Sequence, residues 1–180
     1  MYVWTAVNVD GQLEEIKKEA QHIEKEIGFE NSAFDLPSHI SLKISFPVDA
    51  ADEARVVETI LAYYKTLKPF SVHVAGIEVE DTIVWIRIEE TDVLHKIHSD
   101  LDEILLEKHG ITPHRFDLDF KFHSTLFLDF DKEKIISAYN QVKDSEIPSL
   151  LCANQLIIGT SQSGKIGTYR VTHSVDLFED

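Results

Sequence analysis

The chain of 180 residues carries 17 lysines and arginines against 32 aspartates and glutamates, a formal net charge of −15, and 43% of its residues are hydrophobic. That length and apolar content suffice for a sizeable core. The acidic balance repels polyphosphate and excludes a protein that coats long DNA or RNA, while leaving room for a small anionic ligand in a locally basic pocket.

Cys152 is the single cysteine, which excludes an intramolecular disulfide framework and a CxxC metal site. The opening MYVWTAVNVDG has neither the basic stretch nor the apolar run of a secretory signal, and no segment approaches about 18 apolar residues. A soluble, cytoplasmic protein is expected. Residues 2–9, rich in β-branched and aromatic side chains, read as a strand. Residues 10–28 read as a helix, with Ile16, Ala20, Ile23 and Ile27 at helical spacing and Gly28 as its stop. A strand is expected over 39–48 after Pro37, then a helix over 51–67 ended before Pro69. Strands over 70–79 and 82–88 turn at Glu80-Asp81, and a helix follows over 92–109 on Leu94, Ile97, Leu101, Ile104 and Leu105. A loop leads into a strand ending at Phe130, then a helix over 131–142. Two strands near 151–161 and 168–178 close the chain, joined by Ser163, Gly164 and Gly167. Helices alternating with hairpins indicate an α+β architecture, its sheets covered on one face by helices, and the order of elements hints at an internal duplication.

Two tetrapeptides make that hint specific. His39-Ile40-Ser41-Leu42 and His123-Ser124-Thr125-Leu126 both read His–x–Ser/Thr–hydrophobic, each in a segment expected to be a strand. Alternation along a strand points the histidine and the hydroxyl to one face. In the first strand that face is His39, Ser41, Lys43 and Ser45; in the second it is Lys121, His123, Thr125, Phe127 and Asp129, with Leu126 and Leu128 on the apolar side. Two such polar faces are free to meet across a cleft. Two histidines, each beside a hydroxyl, suit phosphodiester cleavage: one imidazole takes a proton from the attacking oxygen while the other gives one to the leaving oxygen. An imidazole pKa near 6.5 allows one neutral and one protonated copy near neutral pH. Ser41, Thr125, Lys43 and Lys121 are then candidates for holding phosphate oxygens. No metal or other cofactor is required.

With its HISL and HSTL motifs the chain resembles the 2H phosphoesterase superfamily, defined by two Hh[ST]h motifs and including 2′-5′ RNA ligase-like proteins and cyclic nucleotide phosphodiesterases. HISL fits fully, and HSTL departs at Ser124, where the family has a hydrophobic residue. The opening YVWTAV, the hairpin FSVHVAGIEVEDTIVWIRI, the KFHSTLFL strand and the closing QLIIGTSQSGKIGTYRV extend the likeness over nearly the whole chain. The resemblance implies one domain over residues 1–180 made of two pseudo-twofold lobes, two largely antiparallel sheets facing a central groove with helices outside. It also implies metal-independent action on a phosphodiester, commonly a 2′,3′-cyclic phosphate or an RNA end, with His39 and His123 as acid and base and with Tyr169 and Arg170 near the groove.

Other residues read more plainly. His95 and His98 share a helix face and read as surface residues; His173 alternates with Val171 and Val175 and reads as packing, the default also for Trp85. The expected ligand is a small nucleotide or short RNA end, with no long duplex or membrane partner, bound by a monomer. The competing readings are a non-catalytic nucleotide- or RNA-end-binding module using the same groove, and a metal-dependent hydrolase, disfavoured because neither motif has HxH, HxxxH or HxD spacing. No GxxxxGK[ST] loop is present to drive ligation.

Overall fold

The computed structural model describes residues 1–30 and 32–178. Its elements run β1 (Tyr2–Asn8), α1 (Glu14–Ile27), a short 3₁₀ turn (Ala33–Asp35), β2 (His39–Pro47), α2 (Glu53–Tyr64), β3 (Phe70–Glu80), β4 (Ile83–Ile88), α3 (Asp92–His109), β5 (His123–Leu128), α4 (Lys132–Val142), β6 (Leu150–Ala153), β7 (Gln155–Ser161) and β8 (Arg170–Asp176). The strands form two antiparallel sheets, ordered β2-β1-β7-β8 and β5-β4-β3-β6. The α+β class expected from the alternation is the one found.

Each helix exists because one stripe of it is apolar and covered. In α3 the stripe is Leu94, Ile97, Leu101 and Leu105, with Thr91 capping the Leu94 N–H at the start. α3 packs on β2, and α2 packs on α3. α2 is tied to the sheet by the buried Tyr64 hydroxyl, which bonds Thr5 on β1. α1 and α4 pack together beneath the second sheet. One apolar core, including Val7, Leu42, Ile86, Leu101, Phe127 and Leu156, runs beneath both sheets. None of the described helices is long and apolar enough to cross a membrane.

Two boundaries differ from the sequence expectation. The strand expected over 151–161 breaks at Asn154 into β6 and β7, and the two halves join different sheets. The Asn154 carbonyl accepts from the Leu177 N–H at 2.8 Å, outside either ladder. β5 stops at Leu128, because Asp131 caps α4 by accepting from the Glu133 and Lys134 N–H groups, leaving Phe130 82% exposed.

The two motif strands share an irregularity that alternation does not foresee. Along β1, Ala6 opposes Ser41 and Thr5 opposes Lys43, so Leu42 is an extra residue in β2. Along β4, Trp85 opposes Thr125 and Val84 opposes Phe127, so Leu126 is an extra residue in β5. Both bulges fall on the last residue of the motif. A one-residue bulge reverses the facing of the residues that follow it; in β2 a second shift between Val3 and Thr5 restores the facing, with Ser45 at the groove and Phe46 in the core. Lys43 and Phe127, expected on the polar groove faces, therefore turn inward beside Leu42 and Leu126, and all four are buried.

Candidate active site

The histidine faces of β2 and β5 meet at a groove. A cavity of about 290 Å³ has His39, Ser41 and Ser45 from β2, His123 from β5, and Trp4 and Tyr169 in its lining. An adjoining pocket of about 170 Å³ shares His39 and Tyr169 and adds Thr125. The two histidines and both motif hydroxyls are thus brought to one place. The Ser41 and Thr125 hydroxyls make no hydrogen bond among the described residues, so both are available to a ligand.

The imidazoles are held in matching fashion. His39 Nδ1–H donates to the Pro37 carbonyl at 2.8 Å, and His123 Nδ1–H donates to the Lys121 carbonyl at 2.7 Å. In each case the acceptor lies two residues before the histidine, at the entry to the strand. This bond fixes the tautomer and leaves Nε2 as the nitrogen that exchanges a proton. Burial lowers both pKa values below that of a free imidazole; the backbone bond to Pro37 or Lys121 works the other way. The charge of His123 further lowers His39.

Each imidazole also rests on an indole. Trp4 on β1 lies 4.6 Å from His39 between ring centroids, and Trp85 on β4 lies 4.4 Å from His123. Both indoles are nearly buried, and both Nε1–H groups are buried without a partner among the described residues, a cost to stability at the groove. Trp4 lies flat because its neighbour on β7 is Gly159, paired with it across the ladder. A β-carbon there would overlap the indole.

A profile of the 2′-5′ RNA ligase superfamily matches residues 9–158. The chain belongs to that superfamily. No match was found among curated proteins. The fold is similar to TT0787 of Thermus thermophilus, at 14% identity and a TM-score of 0.63, with 98% of each chain covered. It is also similar to E. coli LigT in complex with 3′-AMP, at 13% identity and a TM-score of 0.62, again covering 98% of each chain. The 2H phosphoesterase resemblance carried by HISL and HSTL is therefore shown at the level of family and fold.

Against this 2′-5′ RNA ligase superfamily framework, the remaining expected site residues divide. Tyr169 is at the groove, its hydroxyl donating to Ser45 Oγ at 2.7 Å. Arg170 is not: its guanidinium turns back to donate to the Gly167 and Tyr169 carbonyls, at 3.1 and 2.6 Å. Lys121 is exposed at the rim, where its ammonium bonds Glu80 at 3.0 Å. Lys43 is also in the lining of the histidine cavity, but its ammonium is committed elsewhere. The bulge carries its side chain inward, 1% exposed, where the ammonium bonds Asp102 and lies 2.8 Å from Asp117. At the matching position the other strand has Phe127, a core residue; a lysine in that place needs two carboxylates to be tolerated.

His98, expected at the surface, belongs to the same buried cluster. Its Nδ1 lies 2.8 Å from the Leu42 carbonyl, its Nε2 3.0 Å from the Asp117 carbonyl, and Asp102 is 3.7 Å away. His98, Asp102 and Asp117 are close enough to share a metal ion, but the Lys43 ammonium already bonds both carboxylates. The cluster ties β2, α3 and the segment before β5 together. His173, expected to pack, is exposed on the edge strand β8.

Three residues that the sequence allows as substrate contacts but assigns to packing by default, Trp4, Trp85 and Arg87, lie beside the histidines. The matching places of the two indoles, one strand in from each motif, mark a pair. Arg87 opposes His123 across the β4–β5 ladder, and directly opposed residues share a face. It adds a cation beside His123, held by Glu78 at 2.7 Å.

Proposed function

We propose that the protein is a metal-independent phosphodiesterase that hydrolyses a 2′,3′-cyclic phosphate, or a related phosphodiester, of a nucleotide or short RNA end. The observation that carries this reading is the matched pair of imidazoles, each with Nδ1–H tied to a backbone carbonyl and Nε2 left to exchange protons at one groove. One Nε2 takes the proton of the attacking water as its oxygen bonds phosphorus. The other gives its proton to the ribose oxygen as the bond from phosphorus to that oxygen breaks. Ser41 and Thr125 donate to the non-bridging oxygens, and Lys121 and Arg87 supply positive charge near His123. Both cations already face a carboxylate, so a long polyanion gains little from them.

E. coli LigT has been crystallised with 3′-AMP and with ATP, which supports a small nucleotide as the ligand here. A module that only binds needs no pair of tautomer-fixed imidazoles. The test is a turnover screen of 2′,3′-cyclic and 3′,5′-cyclic nucleotides and oligoribonucleotides with cyclic ends, with EDTA present. Opening of a 2′,3′-cyclic phosphate in EDTA supports the reading, and saturable binding without turnover selects the non-catalytic module. Activity abolished by EDTA and restored by a metal ion selects the metal-dependent alternative.

A further inference from the structure

Beside the histidine cavity lies a second space of different character. Its walls include Leu36 and Ala33 from the 3₁₀ turn and its exit, Leu128 from β5, and Ile166 and Tyr169 from the β7–β8 connection. Leu128 faces this pocket because the bulge at Leu126 reverses the alternation of β5. No lysine or arginine lines it, and its one charged residue is Asp35. Beyond His39 and Thr125, which take the phosphate, this lining repels an anion and suits an uncharged flat ring with hydrogen-bond donors on its edge.

The Asp35 carboxylate makes no hydrogen bond or ion pair among the described residues. It reaches toward the opposite wall: a β-carbon on Gly167 would lie 3.5 Å from Asp35 Oδ2. Gly167 has φ +76°, so the wall facing the carboxylate carries no side chain at that point. The 3₁₀ turn is braced from behind. Ser32 Oγ donates to Glu24 at 2.7 Å, and the Ala33 N–H donates to the other oxygen of the same carboxylate at 3.2 Å. The turn that carries this exposed acceptor is thus held in place, in the same lining as His39.

We propose that this side pocket binds the base of the substrate and selects guanine, whose N1–H and N2–H₂ donors lie side by side and match the two oxygens of Asp35. This rests on the phosphodiesterase reading, with the phosphate between the histidines and the base on the Tyr169 side. A carboxylate accepts and cannot donate. Uracil offers it one ring N–H between two carbonyls, and hypoxanthine one N–H without the amine, so both are disfavoured.

The test is kcat/KM for guanosine, inosine and uridine 2′,3′-cyclic phosphates with the parent, Asp35→Asn and Asp35→Ala. The parent should prefer guanosine to inosine by about tenfold, the effect of one charge-assisted hydrogen bond at a partly open site. Both variants should bring that ratio close to one. A parent ratio near one, or a ratio unchanged by both substitutions, would overturn the proposal. Absence of turnover on all three substrates counts against the phosphodiesterase reading, and calorimetry with guanosine and inosine 3′-monophosphates then tests the pocket by itself. Tighter binding of the guanosine compound that is lost in Asp35→Asn upholds the pocket, and equal binding sinks it.

Discussion

His39 and His123 present the same ring nitrogen to one groove, each having given its Nδ1–H to the carbonyl two residues earlier in the chain. The equivalence extends outward, to Trp4 beneath one ring and Trp85 beneath the other. It extends along the strands too, since a bulge follows Ser41 in β2 and Thr125 in β5. Two copies of one local design thus converge on a single groove, each with its Nε2 left outside the backbone bond.

The first prediction concerns pH. Burial holds both imidazoles below their ordinary pKa, and kcat/KM reports the free enzyme. Its bell should therefore lie on the acid side of about pH 6.5. In kcat the bell should move upward, because a bound phosphate anion favours the imidazolium. The limbs belong to the coupled pair. A kcat/KM optimum well above pH 7 would contradict the burial argument.

The same depression has a sign in stability. The unfolded chain takes up protons on these histidines near pH 6.5, where the folded protein resists them. Their contribution is complete above that pH and is lost as the pH falls below it. Urea unfolding from pH 8 to pH 5 should show a decline that is shallower in the double variant His39→Ala/His123→Ala. An equal slope would mean that the folded imidazoles titrate freely.

Lys43 is expected to act on stability and not on phosphate affinity. Removing one partner of a buried ion pair costs about 3–5 kcal/mol, and the side chains of Lys43 and Asp117 are each 1% exposed. Lys43→Met should lower the urea midpoint sharply, and adding Asp117→Asn should restore part of the loss. A Lys43→Met protein of parental stability whose KM rises would return Lys43 to the phosphate.

This lysine marks where the sequence is legible and where it is not. The pattern HISL/HSTL, strand alternation and helical spacing locate His39, His123, Ser41 and Thr125, the α3 helix and the α+β class, because those features depend on local periodicity. Lys43, Phe127 and Leu128 face the other way for one shared cause. A bulge leaves no local signature in the sequence, yet it reverses the residues that directly follow it. The break at Asn154 and the burial of His98 are hidden for a different reason. Both depend on partners far along the chain: Leu177 in one case, and Leu42 with Asp117 in the other.

Gly159 should matter to catalysis without touching substrate. Gly159→Ala places a methyl group where the Trp4 indole lies, so the indole must shift, and it borders His39 and Tyr169. Overpacking of this kind costs about 1–3 kcal/mol. Turnover should fall, while the equivalent contact of Trp85 with His123 is unaffected. Near-parental kcat with an unchanged Trp4 environment by fluorescence would show that the indole does not position the imidazole.

The central claim, proton transfer by His39 and His123, is tested most directly by turnover of a 2′,3′-cyclic nucleotide with His39→Ala and His123→Ala, each checked for folding by circular dichroism. Each substitution should reduce kcat by about 10²- to 10⁴-fold. A substrate whose leaving group needs no proton should partly rescue one variant and not the other, which names the acid. Near-full activity in either folded variant, or equal rescue of both, would contradict the two-histidine account.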